Sequence, residues 1–163
     1  MIPVFTFTAY SNTGKTTYIE RLIECLASRG VRVGAVKHDA HDFDVDKPGK
    51  DSWRFARAGA AVVALASDTK CAVMEYRPVE YAEVISRIKN VDVIICEGYH
   101  AEGARRIVLW RSSSGKPMKL RPDECSAVVS DAALDTGETP LFPLDDVGPM
   151  AEFIMDEIGK SSL

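Results

Sequence analysis

Near the start of the chain, five β-branched or aromatic residues, Val4-Phe5-Thr6-Phe7-Thr8, run straight into Ala9-Tyr10-Ser11-Asn12-Thr13-Gly14-Lys15-Thr16-Thr17, and a helical period follows at once. Ile19, Leu22, Ile23 and Leu26 fall on one helix face, and Gly30 stops the helix. Strand, loop and helix in immediate succession leave few folds open. Gly14-Lys15-Thr16 is also the second half of the pattern G-x-x-x-x-G-K-[ST]. At such a junction the backbone N–H groups of the loop and first helical turn converge, and the positive end of the helix dipole favours phosphate oxygens. Residues 9 to 17 are therefore the candidate phosphate cradle. Lys15 is placed to reach the outer phosphates and the Thr16 hydroxyl to coordinate Mg²⁺. Ala9 stands where the pattern has its first glycine, which costs little if φ is negative there. Asn12, which tolerates the left-handed region, is able to share the turn.

The rest of the chain alternates strands and helices. A strand is expected at 31–36, then a polar, acidic stretch at 37–50 containing His38, Asp39, His41, Asp42, Asp44 and Asp46. Asp51 and Ser52 are expected to cap a short helix that ends near Gly59. Residues 61–66 and 71–76 read as a hairpin around a turn at 67–70, an antiparallel pair expected beside parallel strands in one sheet. A helix is expected at 79–89. Val91-Asp92-Val93-Ile94-Ile95-Cys96 is nearly continuous in apolar residues, as a central parallel strand covered on both faces would be. Shorter strands follow at 107–110, 127–129 and 140–144, the last an edge strand because of Pro140 and Pro143, and a final helix at 147–158. The pattern predicts an α/β, three-layer, P-loop NTPase-like fold, mostly parallel with an antiparallel hairpin, and ligands at the carboxyl ends of the strands.

At 163 residues with 46% hydrophobic content, the chain has material for one domain, 1–163, that needs neither disulfides nor a structural metal. Its formal charge of −4 argues against nucleic acid as a partner. No basic leader and no apolar run of about 20 residues is present, so no membrane partner and a cytoplasmic location are expected. Four cysteines without a CxxC pair, at 25, 71, 96 and 125, read as reduced thiols.

Glu97, at the end of the apolar strand, is either where an acid would meet the magnesium beside the phosphate loop or a solvated acid at a strand end, and Gly98 lets the chain turn close to a nucleotide. Asp51 is a second candidate for the metal, with helix capping as its competing role. Lys37 and His38 end their strand at the same sheet edge. Lys37 is a candidate for stabilising phosphate charge, the acidic loop beyond it either a switch-like segment or simply solvated. The pairs Arg54 and Arg57, and Arg105 and Arg106, either bind an anionic substrate or solvate the surface. Asp131, closing the strand 127–129, has the chemistry to accept hydrogen bonds from N1 and N2 of guanine, which adenine does not offer, or else merely opens a loop.

Taken together, Gly14-Lys15-Thr16-Thr17, the run from Lys37-His38 through Asp44-Val45-Asp46-Lys47-Pro48-Gly49-Lys50-Asp51-Ser52, Ala58-Gly59-Ala60 and Cys96-Glu97-Gly98 resemble the molybdopterin-guanine dinucleotide biosynthesis protein B family. The resemblance implies a P-loop GTP-binding protein of weak GTPase activity, usually a homodimer. It would assist the guanylyltransferase that joins GMP to molybdopterin. The arrangement of Lys37, Asp51 and Glu97 around a phosphate loop also resembles dethiobiotin synthetase, where a lysine and two acids serve nucleotide and Mg²⁺. Relative to the family pattern, Asn12 replaces a glycine, Ala40 a histidine and His100 a lysine.

The leading expectation is a GTP-binding protein that uses Mg²⁺, with Lys15, Lys37 and Glu97 as the catalytic set and Thr16, Asp51 and Glu97 managing the metal. No glutamine or arginine is placed by these motifs to orient water, so hydrolysis is expected to be slow. Two alternatives stay open: an ATP-dependent small-molecule kinase or dethiobiotin-synthetase-like ligase, and an adaptor that binds another protein only when nucleotide-loaded. The hairpin at 61–76 offers an edge for homodimerisation.

Overall fold

The structure is a computed structural model that describes residues 1–38, 43, 45–98 and 103–161. The chain divides into two compact units, one built from 1–38 and 85–163, the other from 39–84.

The first unit is organised by a six-stranded sheet of β1 (Val4–Thr8), β2 (Val33–Lys37), β5 (Val93–Glu97), β6 (Arg105–Trp110), β7 (Ala127–Ser130) and β8 (Leu141–Pro143), in the order β2-β5-β1-β6-β7-β8. Every pairing in it is parallel. Such a sheet must bury both faces, and in its central strands Phe5 to Thr8, Val93 to Cys96 and Ile107 to Leu109 are all buried. One face packs on α1 (Lys15–Ser28) and α4 (Gly148–Ser161), with Phe5, Phe7, Val93, Ile95, Ile107 and Leu109 meeting Tyr18, Leu22, Leu26, Met150 and Ile154. The period of two in the strands and of about 3.6 in the helices meet in this core. Phe7 lies against Tyr18 with ring centroids 6.2 Å apart, and Phe5 against Phe153 edge-on at 6.3 Å.

β1 lies between β5 and β6, so the chain leaves it in one direction toward β2 and later returns to build on its other side. The crevice at such a reversal lies outside the carboxyl ends of the strands. Here those ends carry the loop 9–14 and Glu97.

The second unit holds α2 (Asp51–Arg57), the antiparallel pair β3 (Val62–Ala66) and β4 (Cys71–Glu75), and the start of α3 (Tyr81–Arg87). The pair forms its own two-stranded sheet, not an addition to the large one as expected. Among the described residues β3 and β4 form their ladder with each other. The hairpin turn is as expected, with Ser67 N–H donating to the Lys70 carbonyl at 2.9 Å. α3 is shorter than the expected 79–89. Asp51 is not the cap of α2: Lys50 holds that position in an extended conformation and makes no side-chain cap bond, so Asp51 is the first helical residue. The strand expected to begin at Ile107 begins at Arg105, drawn in by pairing with Phe5.

Candidate functional site

The phosphate loop leaves β1 with Ala9 buried and outside the positive-φ residues, so alanine suffices where a glycine was the reference. Asn12 takes the left-handed turn instead, at φ 65°. Gly14 follows at φ 86° as the residue before α1. A Cβ there would be strained by that φ and would also lie 3.2 Å from a guanidinium nitrogen of Arg111. No side chain caps the first turn of α1 and no acid lies in it, so the helix itself carries no anion for its first N–H groups.

That cavity, about 370 Å³, is lined by Tyr10, Ser11, Asn12, Gly14, Lys15, Thr16, Thr17 and Glu97. Two members of the expected cradle lie behind it: Ala9 and Thr13 are buried, and Thr13 Oγ1 donates to the Tyr10 carbonyl at 2.8 Å to tie the loop to itself. Glu97 reaches the site from β5. Its Oε1 accepts from Thr16 Oγ1 at 2.9 Å and lies 3.5 Å from Lys15 Nζ. Both side chains of that ion pair are largely shielded from solvent, at 18% and 16% exposure, so the attraction is less screened than on an open surface. Hydroxyl, carboxylate and ammonium thus meet at one oxygen. A hard oxygen pair beside a phosphate cradle suits Mg²⁺, which keeps several waters and takes only one or two protein oxygens.

Sheet register brings a further cation to the same edge. Lys37 is the partner of Glu97 between β2 and β5 and is exposed. Backbone bonds hold this edge closed: His38 N–H donates to the Glu97 carbonyl at 3.0 Å and Gly98 N–H to the Phe7 carbonyl at 3.2 Å. Gly98 turns at φ 79°, the conformation that favours glycine there.

Asp51 lies in the second unit, 85% exposed with its carboxylate 3.7 Å from Arg54. Arg57 lies over the Trp53 ring at 5.6 Å. Arg105 opens β6, where its guanidinium lies over Phe5 at 5.6 Å and its Nε donates to Glu157 at 2.7 Å. Hydrogen bonds from Lys160 and Arg105 hold the Glu157 carboxyl below its ordinary range against the opposing effect of burial. Positions 39–42 and 44 of the acidic stretch, with His41, and His100 lie outside the described residues.

Arg111 is a residue that motif reading passed over. It follows the apolar strand β6 directly, and its Nε donates to the Thr13 carbonyl at 3.1 Å, bracing the phosphate loop from behind. It also lines a second cavity of about 560 Å³ at the carboxyl ends of β7 and β8, with Arg21, Ser130, Asp131 and Phe142 among its walls. Asp131 is fixed at the rim: Ser112 N–H donates to its Oδ1 at 2.7 Å and the Ser112 hydroxyl to its Oδ2 at 3.0 Å. The backbone bond from Ser112, first among the causes, holds this carboxyl below the usual range.

A parallel sheet with a phosphate loop after β1 and an acid at the end of the neighbouring strand defines the P-loop NTPase-like class. The chain belongs to the family described as Molybdopterin guanine dinucleotide synthesis protein B, whose profile matches residues 4–131. It is 39% identical to a molybdopterin-guanine dinucleotide biosynthesis adapter protein of Escherichia coli (strain K12), across 99% of this chain and 97% of that one. A protein of the same description from Haemophilus influenzae is 36% identical across 94% and 88%. The crystal structure of a molybdopterin-guanine biosynthesis protein B superposes with TM-score 0.69 at 29% identity, over 95% of this chain and 98% of that one. Among the described residues no helix is long and apolar enough to cross a membrane.

Proposed function

We propose that this protein binds GTP with Mg²⁺, hydrolyses it slowly, and acts in the cytoplasm as an adapter for the guanylyltransferase that forms molybdopterin-guanine dinucleotide. The observation that carries the nucleotide part is the meeting of Thr16, Lys15 and Glu97 at one carboxylate oxygen below an uncapped helix start. The loop N–H groups hold phosphate oxygens and Lys15 balances their charge. Thr16 and Glu97 would hold the metal, and Mg²⁺ when bound would supply charge neutralisation for the phosphates. Lys37 adds positive charge at the same edge. The adapter role is supported by the relatives, which are molybdopterin-guanine dinucleotide biosynthesis adapter proteins.

The second cavity suits the base. Its apolar walls, including Phe142 and Leu144, match a purine face, and Asp131 is an ionised, acceptor-only group at the rim, as N1–H and N2–H of guanine require. Self-association is assigned to the second unit, whose hairpin exposes Val62, Leu65, Val73 and Tyr76 and leaves both outer edges unpaired within the two-stranded sheet.

Calorimetric titration with GTP and ATP, each with Mg²⁺ and with EDTA, tests the reading. Binding of GTP in preference to ATP, weakened by EDTA, is expected. Preference for ATP would turn the assignment toward a small-molecule kinase or ligase, and binding of neither would overturn it.

A further inference from the structure

The loop after β6 brings two lysines to a tyrosine of the phosphate loop. Lys116 Nζ lies 5.0 Å and Lys119 Nζ 5.2 Å from the centroid of the Tyr10 ring, and Tyr10 lines the phosphate cavity. Both lysines are exposed, and among the described residues neither forms an ion pair. Left to itself, an exposed lysine extends into water and keeps its rotamer freedom. Two ammonium groups gathered about one ring repel each other, and an anion bound beside that ring would relieve the repulsion.

The frame beneath them is held. The Lys116 carbonyl accepts the Trp110 indole N–H at 2.7 Å and the Ser114 hydroxyl at 3.3 Å, and the Lys116 N–H donates to Ser114 Oγ at 3.2 Å. At the other end of the short 3₁₀ turn Ser112–Ser114, Ser112 is bonded to Asp131. Positive charge is therefore concentrated beside Tyr10 in a chain whose net charge is −4.

We propose that Lys116, Lys119 and Tyr10 form an auxiliary subsite for a phosphate dianion at the mouth of the phosphate cavity. The dianion is the outermost phosphate of the bound nucleotide or the phosphate monoester of a second ligand; the chemistry of recognition is the same. The tyrosine face gathers the ammonium groups and the phosphate oxygens accept from them. This inference rests on the nucleotide reading of the P-loop.

The test uses the double variant Lys116→Ala/Lys119→Ala beside the wild type. Each is titrated with GDP, with a non-hydrolysable GTP analogue, and, when GDP-loaded, with inorganic phosphate, all with Mg²⁺. GDP affinity is expected to hold within about twofold, because the exposed lysines stand outside the loop. If the subsite takes the nucleotide's outermost phosphate, preference for the triphosphate over GDP falls by about tenfold in the variant and returns in Lys116→Arg/Lys119→Arg. If it takes a second ligand's phosphate, that preference is unchanged, and inorganic phosphate binds GDP-loaded wild type but not the GDP-loaded alanine variant. Neither change, with GDP still bound, overturns the subsite alone. Failure of the wild type to bind GDP overturns the nucleotide reading and the subsite with it.

Discussion

The carboxyl edge of the six-stranded sheet and the β3–β4 hairpin treat their side chains in opposite ways. At the sheet edge, polar groups are drawn in and held: Thr16 and Lys15 meet on Glu97, Asp131 is bonded twice by Ser112, and Arg111 braces Thr13. In the hairpin, apolar groups are left out, with Val73 61% and Val62 54% exposed. A parallel sheet covered by helices provides a buried frame on which a few polar groups can be fixed for a ligand. A two-stranded sheet has too little apolar surface to bury itself and leaves some for another surface.

The largest contrast should appear in stability. Leu22, fully buried between α1 and the sheet, should cost about 2–5 kcal/mol when replaced by alanine, whereas Val73→Ala, exposed in the single chain, should cost under about 0.5 kcal/mol at concentrations too low for self-association. Urea unfolding of both variants measures this, and equal losses would break the comparison. Lys15→Ala should next weaken GTP binding by about 100-fold or more, since it removes a charge-assisted contact to phosphate, with little change in melting temperature. Unchanged affinity in calorimetry would remove the P-loop assignment. Third, Val73→Asp should weaken self-association by about tenfold or more through the cost of burying a carboxylate, leaving GTP affinity intact. Light scattering at micromolar concentration reads this; a wild type that is monomeric with and without nucleotide would sink the dimer proposal.

The smallest effect sharpens the comparison through pH. Asp92 accepts from Arg32 through a guanidinium and a backbone N–H, which hold its carboxyl down at about 2. A carboxyl whose folded value is depressed adds stability above its unfolded value, and that contribution disappears as pH falls through the folded one. Asp92→Asn should therefore be less stable than wild type above about pH 4, with the gap closing toward pH 2. A gap that stays constant down to pH 2 in denaturant titrations would refute the linkage.

How much was legible depended on how local each signal is. β1, the phosphate loop and α1 are neighbours in sequence, so strand propensity, the Gly-Lys-Thr signature and the helical period report on one another. Glu97 was legible because a continuous apolar run marks a central parallel strand and its last residue must lie at the carboxyl edge. The separateness of the hairpin was not legible, since alternation specifies a strand and not the sheet it joins. Asp51 reads as a cap in sequence because Asp is favoured both at the cap and one residue inside it, and only backbone torsion separates the two.

Sequence carries the parallel α/β class, the Gly-Lys-Thr loop with its Asn12 turn and the place of Glu97 at the carboxyl edge, because each is written in adjacent residues or in a strand's own pattern. Tertiary structure alone decided that Thr16, Lys15 and Glu97 share one oxygen, that Arg111 braces a carbonyl 98 positions earlier, and that two lysines meet on Tyr10. Those meetings depend on which strands lie side by side and on the register between them, which come from packing over the whole sheet and are carried by no single stretch of chain.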